Sequence, residues 1–287
     1  MNDKNKIPDF ITYARSFEKY AWYKPLLVLL VGFVTYFILQ AIVISVFSVV
    51  YGFDVISPLL SGSYSSLNSE LGSYISYLSV ALFIPSLYVA SRIVKDRPFS
   101  SYSSSRGGWN WKLYFKCLLV PSAIYLIFYI IHALTNRQVG PSTLTVTFFM
   151  VCLVIVPLQC IAEEYLLRGF VMQTIGSWVN IPVLAWILQA VLFALMHPYN
   201  ILGVIDIFID GLVLGLLAWK TNGLEPGSAF HSVNNFSAAM IVALGLDVST
   251  SMITATDFLT SLLLTLISAF ALYYVGNKQG WFDEMTS

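Results

Sequence analysis

Gln159-Cys160-Ile161-Ala162-Glu163-Glu164-Tyr165-Leu166-Leu167-Arg168-Gly169-Phe170 places three charges within six residues. The run that leads into it carries no charge from Thr143 onward. A charge at bilayer depth costs about 2.5–3.5 kcal/mol on insertion scales. A cluster of charges there therefore implies a site that faces the protein interior and meets other polar groups. The same stretch decides the fold class, because it makes sense only inside a bundle of helices that shields it.

Composition agrees. The 287-residue chain is 57% hydrophobic and 10% charged, with mean hydropathy +0.76; a soluble domain carries about 25% charged residues. The net charge of +0 leaves no basic surface for nucleic acid. Cys117, Cys152 and Cys160 lie in apolar runs, without the spacing of a disulfide framework or a cysteine zinc site. The N-terminus lacks the short apolar region and cleavage site of a removable signal peptide.

Hydropathy predicts an all-α polytopic bundle of eight spans. They run at about Leu26–Val50, Leu71–Val94, Leu113–Leu134, Thr143–Ile175, Ile181–Met196, Ile201–Trp219, Pro226–Leu246 and Phe258–Val275. Pro85, Pro121 and Pro157 fall inside them, tolerable where neighbours satisfy the freed carbonyls. The predicted organisation is a tail at 1–24, one membrane domain at 25–278 with its catalytic core at about 143–246, and a short tail at 279–287. Residues 51–70 read as a Ser- and Gly-rich connection. Phe17, Glu18, Lys19, Tyr20 and Trp22 suit a surface-lying amphipathic segment or a solvated tail with an interfacial anchor. Thirteen of the 15 Lys and Arg fall on one side of such a bundle, Arg137 on the other and Arg168 within the cluster. By the positive-inside rule both termini are then cytoplasmic. Six of the seven tryptophans fall at those same ends, as interfacial aromatics do. Gly211 and Gly215 form a small-xxx-small pattern, read as ordinary close packing.

Four polar groups stand in these apolar surroundings. They are Glu163, Glu164 and Arg168; His197, which closes Phe193-Ala194-Leu195-Met196-His197; His231 with Asn234 and Asn235; and Asp206 with Asp210. Glu164 and Arg168 are four apart and share a helix face, so they can pair. Glu163, about 100° further round, is free for a cavity. His231 and Asn235 share a face as well, with Asn234 the competitor for that place. At about 1.5 Å per residue, His231 lies roughly 8–10 Å and His197 roughly 20–25 Å from the cytoplasmic face. The two meet only if a span tilts or breaks, and Pro198 favours a break.

A carboxylate, two histidines and an amide in a low-dielectric cavity suit hydrolysis: a general base, a water-orienting imidazole and donors for a carbonyl oxyanion. Glu163, His197 and His231 are equally a set for a divalent metal such as zinc. Asp206 and Asp210 share a face of their span and read as supporting or structural, with a cation or proton path as the other reading. His132 has no partner motif and reads as interfacial.

Glu-Glu-x-x-x-Arg, Phe-x-x-x-His and His-x-x-x-Asn, in that order over residues 163–235, resemble the CAAX-protease and bacteriocin-processing (Abi) family of intramembrane proteases. The resemblance covers spans four to seven. It implies Glu163 as the base that activates water, His197 as its partner on that water, and His231 with Asn235 as the oxyanion hole. It implies supporting roles for Glu164, Arg168 and Phe193. The family has been described both as metal-dependent and as glutamate-type, and resemblance to its prenyl-processing members favours the metal-free version. The implied substrate is a membrane-associated peptide or protein in a multi-pass membrane setting, the bacterial cytoplasmic membrane foremost. Other membrane proteins are further candidate partners. The competing readings are a non-enzymatic bacteriocin-immunity or signalling partner, and a proton-coupled carrier, although no inverted repeat of hydropathy supports the carrier.

Overall fold

The computed structural model describes residues 7–60, 69–135, 139–248 and 250–283, and all its regular elements are helical. In chain order they are α1 (Lys24–Tyr51), α2 (Phe53–Leu60), α3 (Glu70–Ala81), α4 (Phe83–Val94), α5 (Ser100–Ser103), α6 (Trp111–Thr135) and α7 (Val146–Glu164). A π-helical segment follows at Tyr165–Met172, then α8 (Gln173–Val179), α9 (Pro182–Leu195), α10 (Ile201–Thr221), α11 (Glu225–Ala243) and α12 (Ala255–Lys278). Tyr13–Ser16 form a single 3-10 turn.

Six of the described stretches are long and apolar enough to cross a membrane: Lys24–Tyr51, Glu70–Val94, Trp111–Thr135, Val146–Val179, Ile201–Thr221 and Ala255–Lys278. The other two expected spans correspond to α9 and α11. Helix α9 has 14 residues, about 21 Å at 1.5 Å per residue, short of a hydrocarbon core of about 30 Å. Helix α11 is long enough, but Glu225–Val233 are buried without a break and include Glu225, Ser228, His231 and Ser232. It is enclosed by protein, packed against α6, α7, α10 and α12, so it needs no apolar outer face. The two helices that carry His197 and His231 are thus the two least like ordinary spans.

Three local expectations change. The second span breaks at Leu82 into α3 and α4, because Pro85 has no N–H for the Ala81 carbonyl. Part of the 51–70 connection is helical: Gly52, at φ +92°, turns the chain into α2. The remainder of that connection, 61–68, and Arg137 lie outside the described residues. The N-terminal segment is not a solvated tail. Phe10 and Ile11 are fully buried, Asp9 Oδ2 accepts from the Trp219 indole at 2.8 Å, and Pro8 O accepts from Ser105 Oγ at 2.7 Å.

The basic loop between α4 and α6 caps the same end of the bundle. Arg106 is 1% exposed and pairs with Glu225 at 2.6 Å, and Asn110 N donates to the other oxygen of that carboxylate at 2.9 Å. Arg97 donates to Gln173 Oε1 and to the Gly169 carbonyl. Two cations of the positive-inside signal therefore hold the cap onto α11 and onto the π-helical segment.

Candidate active site

Helix α7 starts on Thr145, whose hydroxyl accepts from Phe148 N, and delivers Glu163 and Glu164 at its last turn. The helix then widens into the π-helical segment that carries Arg168; such irregularities recur at functional sites. Glu163, Glu164 and Arg168 are 7%, 0% and 0% exposed. Arg168 Nη1 lies 2.9 Å from Glu164 Oε1, Nη2 donates to the Gly211 carbonyl at 3.2 Å, and the guanidinium carbon sits 4.6 Å from the Phe193 ring centre. The pair expected from the spacing of four is present, tied to α10 and stacked on α9.

His231 joins both carboxylates. Its Nδ1 lies 3.0 Å from Glu164 Oε1. A carboxylate accepts, so Nδ1 carries the proton. That bond turns Nε2 toward Glu163 Oε2 at 3.4 Å and Asn235 Nδ2 at 3.3 Å. Asn235 Nδ2 also reaches Gln159 Oε1 at 3.3 Å. Asn234 lines the same cavity, but its Oδ1 takes the Tyr125 hydroxyl at 2.8 Å. Of the two asparagines, the one four residues from the histidine contacts its ring.

His197 reaches the site by a fold-back. Helix α9 stops at Leu195, ahead of Pro198, and His197 N donates to the Ala194 carbonyl at 3.1 Å. The His197 Nδ1 lies 2.8 Å from the Phe193 carbonyl. A carbonyl only accepts, so Nδ1 holds the proton and Nε2 keeps its lone pair. Phe193 stands between the histidines, its ring 4.8 Å from His197 and 5.9 Å from His231.

His197, His231, Asn235, Gln159 and Asp210 line one cavity of about 780 Å³. Its mouth, at Glu70, Thr143, Asp247 and Thr250, lies where α3 and α7 begin and α11 ends. Helix α11 starts at the Arg106–Glu225 pair and α4 ends at Lys95, so the mouth is at the opposite end of the bundle from the basic cap. Asp210 Oδ1 accepts from Thr265 at 2.8 Å, joining α10 to α12. Asp206 is half-buried and His132, stacked on Phe128, does not line the cavity.

Residues 145–237 match a family of known endopeptidases. The match is to the Rce1-like family, type II CAAX prenyl endopeptidase. This Rce1-like segment contains all three motifs, from Glu163 to Asn235, and agrees with the resemblance read from the sequence. The chain is also 25% identical over 181 residues to the uncharacterised protein YyaK of Bacillus subtilis (strain 168), across 59% of this chain and 60% of that protein's length. No solved structure matches.

A zinc site needs at least three donors converging at about 2 Å. Among the described residues no three His, Cys, Asp or Glu side chains form such a group. Two contributors escape sequence reasoning. Gln159 holds Asn235 across 76 residues of chain, with no motif spacing to reveal it. Glu164 orients His231 as well as pairing with Arg168, a contact across 67 residues that helical periodicity cannot show.

Proposed function

We propose that this protein is an intramembrane endopeptidase that hydrolyses a peptide bond of a membrane-associated peptide or protein, with Glu163 as the base that activates water. The observation that supports this best is the state of Glu163. Its Oε2 is buried with no hydrogen-bond partner, although His231 Nε2 lies only 3.4 Å away in an unfavourable direction. An unsatisfied buried acceptor costs about 1–3 kcal/mol, more when charged, and a water beside the cavity relieves it. In this reading the water gives its proton to Glu163, and the His197 Nε2 lone pair orients the water. The carbonyl oxygen, as it becomes an oxyanion, accepts from Asn235 Nδ2 and from His231 Nε2, the ring carrying a proton on both nitrogens as an imidazolium held beside Glu163 and Glu164. Glu163 then returns the proton to the leaving amine. Glu164 holds the His231 Nδ1–H throughout, and Arg168 holds Glu164. The match to a family of prenyl endopeptidases supports the same reaction class. The setting that fits best is a bacterial cytoplasmic membrane.

The test is cleavage of a panel of quenched peptides, free and lipid-tethered, by purified protein in detergent. Glu163→Gln is expected to lower the rate by about 10²–10⁴, the usual contribution of a general base. A strong chelator is expected to leave wild-type cleavage intact. Chelator-sensitive cleavage would transfer the water-activating role to a metal. If Glu163→Gln retains full function in cells, the enzyme reading falls and a non-enzymatic membrane partner takes its place.

A further inference from the structure

The cavity wall is one-sided in charge. Among the described residues its lining includes Glu70, Asp210 and Asp247 and neither lysine nor arginine. Glu70 and Asp247 are exposed at the mouth. Glu70 accepts the Tyr74 hydroxyl at 2.5 Å and Asp247 accepts its neighbour's amide, so both are held in place. Asp210 lies inside, 6% exposed. Thr265 accounts for its Oδ1, and among the described residues nothing hydrogen-bonds its Oδ2, which is left to the cavity. The buried Arg168 is committed to Glu164 and to the Gly211 carbonyl. A tie between α10 and α12 needs only one oxygen, and a threonine or asparagine would supply it. A carboxyl with one free oxygen, in the same cavity as His197 and His231, is placed to accept from a donor, and most strongly from a cationic one.

The geometry points to Asp210 as a specificity-determining residue that receives a lysine or arginine side chain of the substrate peptide, close to the bond presented to Glu163, with Glu70 and Asp247 attracting the same charge at the mouth. This rests on the endopeptidase reading for the cleavage step and on the cavity alone for the binding step. A long flexible cation can leave its backbone beside His231 and Asn235 while its head group reaches a second wall. The two exposed acids act at longer range, and salt screens them more than it screens Asp210.

The test uses dye-labelled apolar peptides that carry arginine at one central position, stepped along the chain, each with a citrulline twin of the same shape and no charge. Binding is read by fluorescence anisotropy on full-length Glu163→Gln protein in detergent, and cleavage is read on wild type. At the best position arginine is expected to bind about ten- to a hundredfold tighter than citrulline, the range of a hydrogen bond to a charged group. Asp210→Asn, which retains an acceptor for Thr265, is expected to bring that ratio close to one without weakening the citrulline peptide. Glu70→Gln with Asp247→Asn is expected to lower the ratio in low salt only, and this comparison serves alone if Asp210→Asn does not fold. Equal binding of the twins at every position, or a ratio untouched by both sets of substitutions, overturns the inference even if wild type cleaves both peptides. Arginine-selective binding that Asp210→Asn abolishes, with no peptide cleaved, upholds the inference and removes the endopeptidase reading instead.

Discussion

Glu163 and Glu164 adjoin in the chain and differ in what already holds them. Glu164 carries two charge-assisted bonds, from Arg168 and His231, and is fully enclosed. Removing one partner of a buried pair strands the other, at about 3–5 kcal/mol. Arg168→Ala is therefore expected to lower thermal stability in detergent by that amount. Arg168→Lys is expected to recover only part of it, since an ammonium cannot span Glu164 and the Gly211 carbonyl as the guanidinium fork does. Glu163→Gln removes a charge that nothing neutralises well and is expected to unfold within about 1 kcal/mol of wild type. Thermal unfolding of the three variants checks the division: equal losses at Glu163 and Arg168 would mean that both are structural. The Glu164–Arg168 pair and the His231–Asn235 face are legible in the sequence because both are spacings of four on a helix. The bonds from His231 to Glu164 and from Asn235 to Gln159 are not, because they join separate helices and only packing sets them.

At the scale of elements, the position of α9 against α10 decides whether Phe193 and His197 reach the site. A Cβ on Gly211 would lie 2.9 Å from Ala190 Cα, and one on Gly215 would lie 2.5 Å from Gln189 Nε2. Gln189 Nε2 and Trp186 Nε1 also donate to the Gly211 and Leu212 carbonyls at 2.8 and 2.7 Å. The small-xxx-small pattern, read from sequence as ordinary packing, thus sets the distance between the two helices. Gly211→Ala is expected to cost about 1–3 kcal/mol, the range of an overpacked contact. Its activity is expected to fall further than its stability, by about a hundredfold if α9 moves by about 1 Å. Parallel measurements of unfolding temperature and cleavage rate check this; a rate that follows stability alone would free the helix spacing from the chemistry. The existence of α9 and α11 is legible from hydropathy. The π-helical widening after Glu164 is not, since no residue type in Tyr165–Met172 demands it. Nor is the burial of Arg97 and Arg106, because a basic loop reads as solvated until its carboxylate and carbonyl partners are seen.

For the whole molecule, the decisive relation is between the mouth and the basic cap. Among the described residues, 11 of the 12 Lys and Arg lie toward one end of the bundle, and the bias survives setting aside Arg97 and Arg106, whose charges serve folding. The positive-inside rule predicts that end to be cytoplasmic, which would open the acid-lined mouth on the other side and bring the substrate segment from outside the cytoplasm. Cysteine labelling reads this directly, because Cys117, Cys152 and Cys160 are all buried and give no background. Val248 is 61% exposed beside the mouth, whereas Lys278 is exposed at the far end of α12. In intact bacterial cells a membrane-impermeant maleimide is expected to label Val248→Cys and to label Lys278→Cys only after the membrane is opened. The reverse pattern would turn the mouth toward the cytoplasm, where its substrates would then have to arise. Selection for a basic residue by Asp210 would survive that result, because it depends on the cavity wall and not on which side the cavity faces.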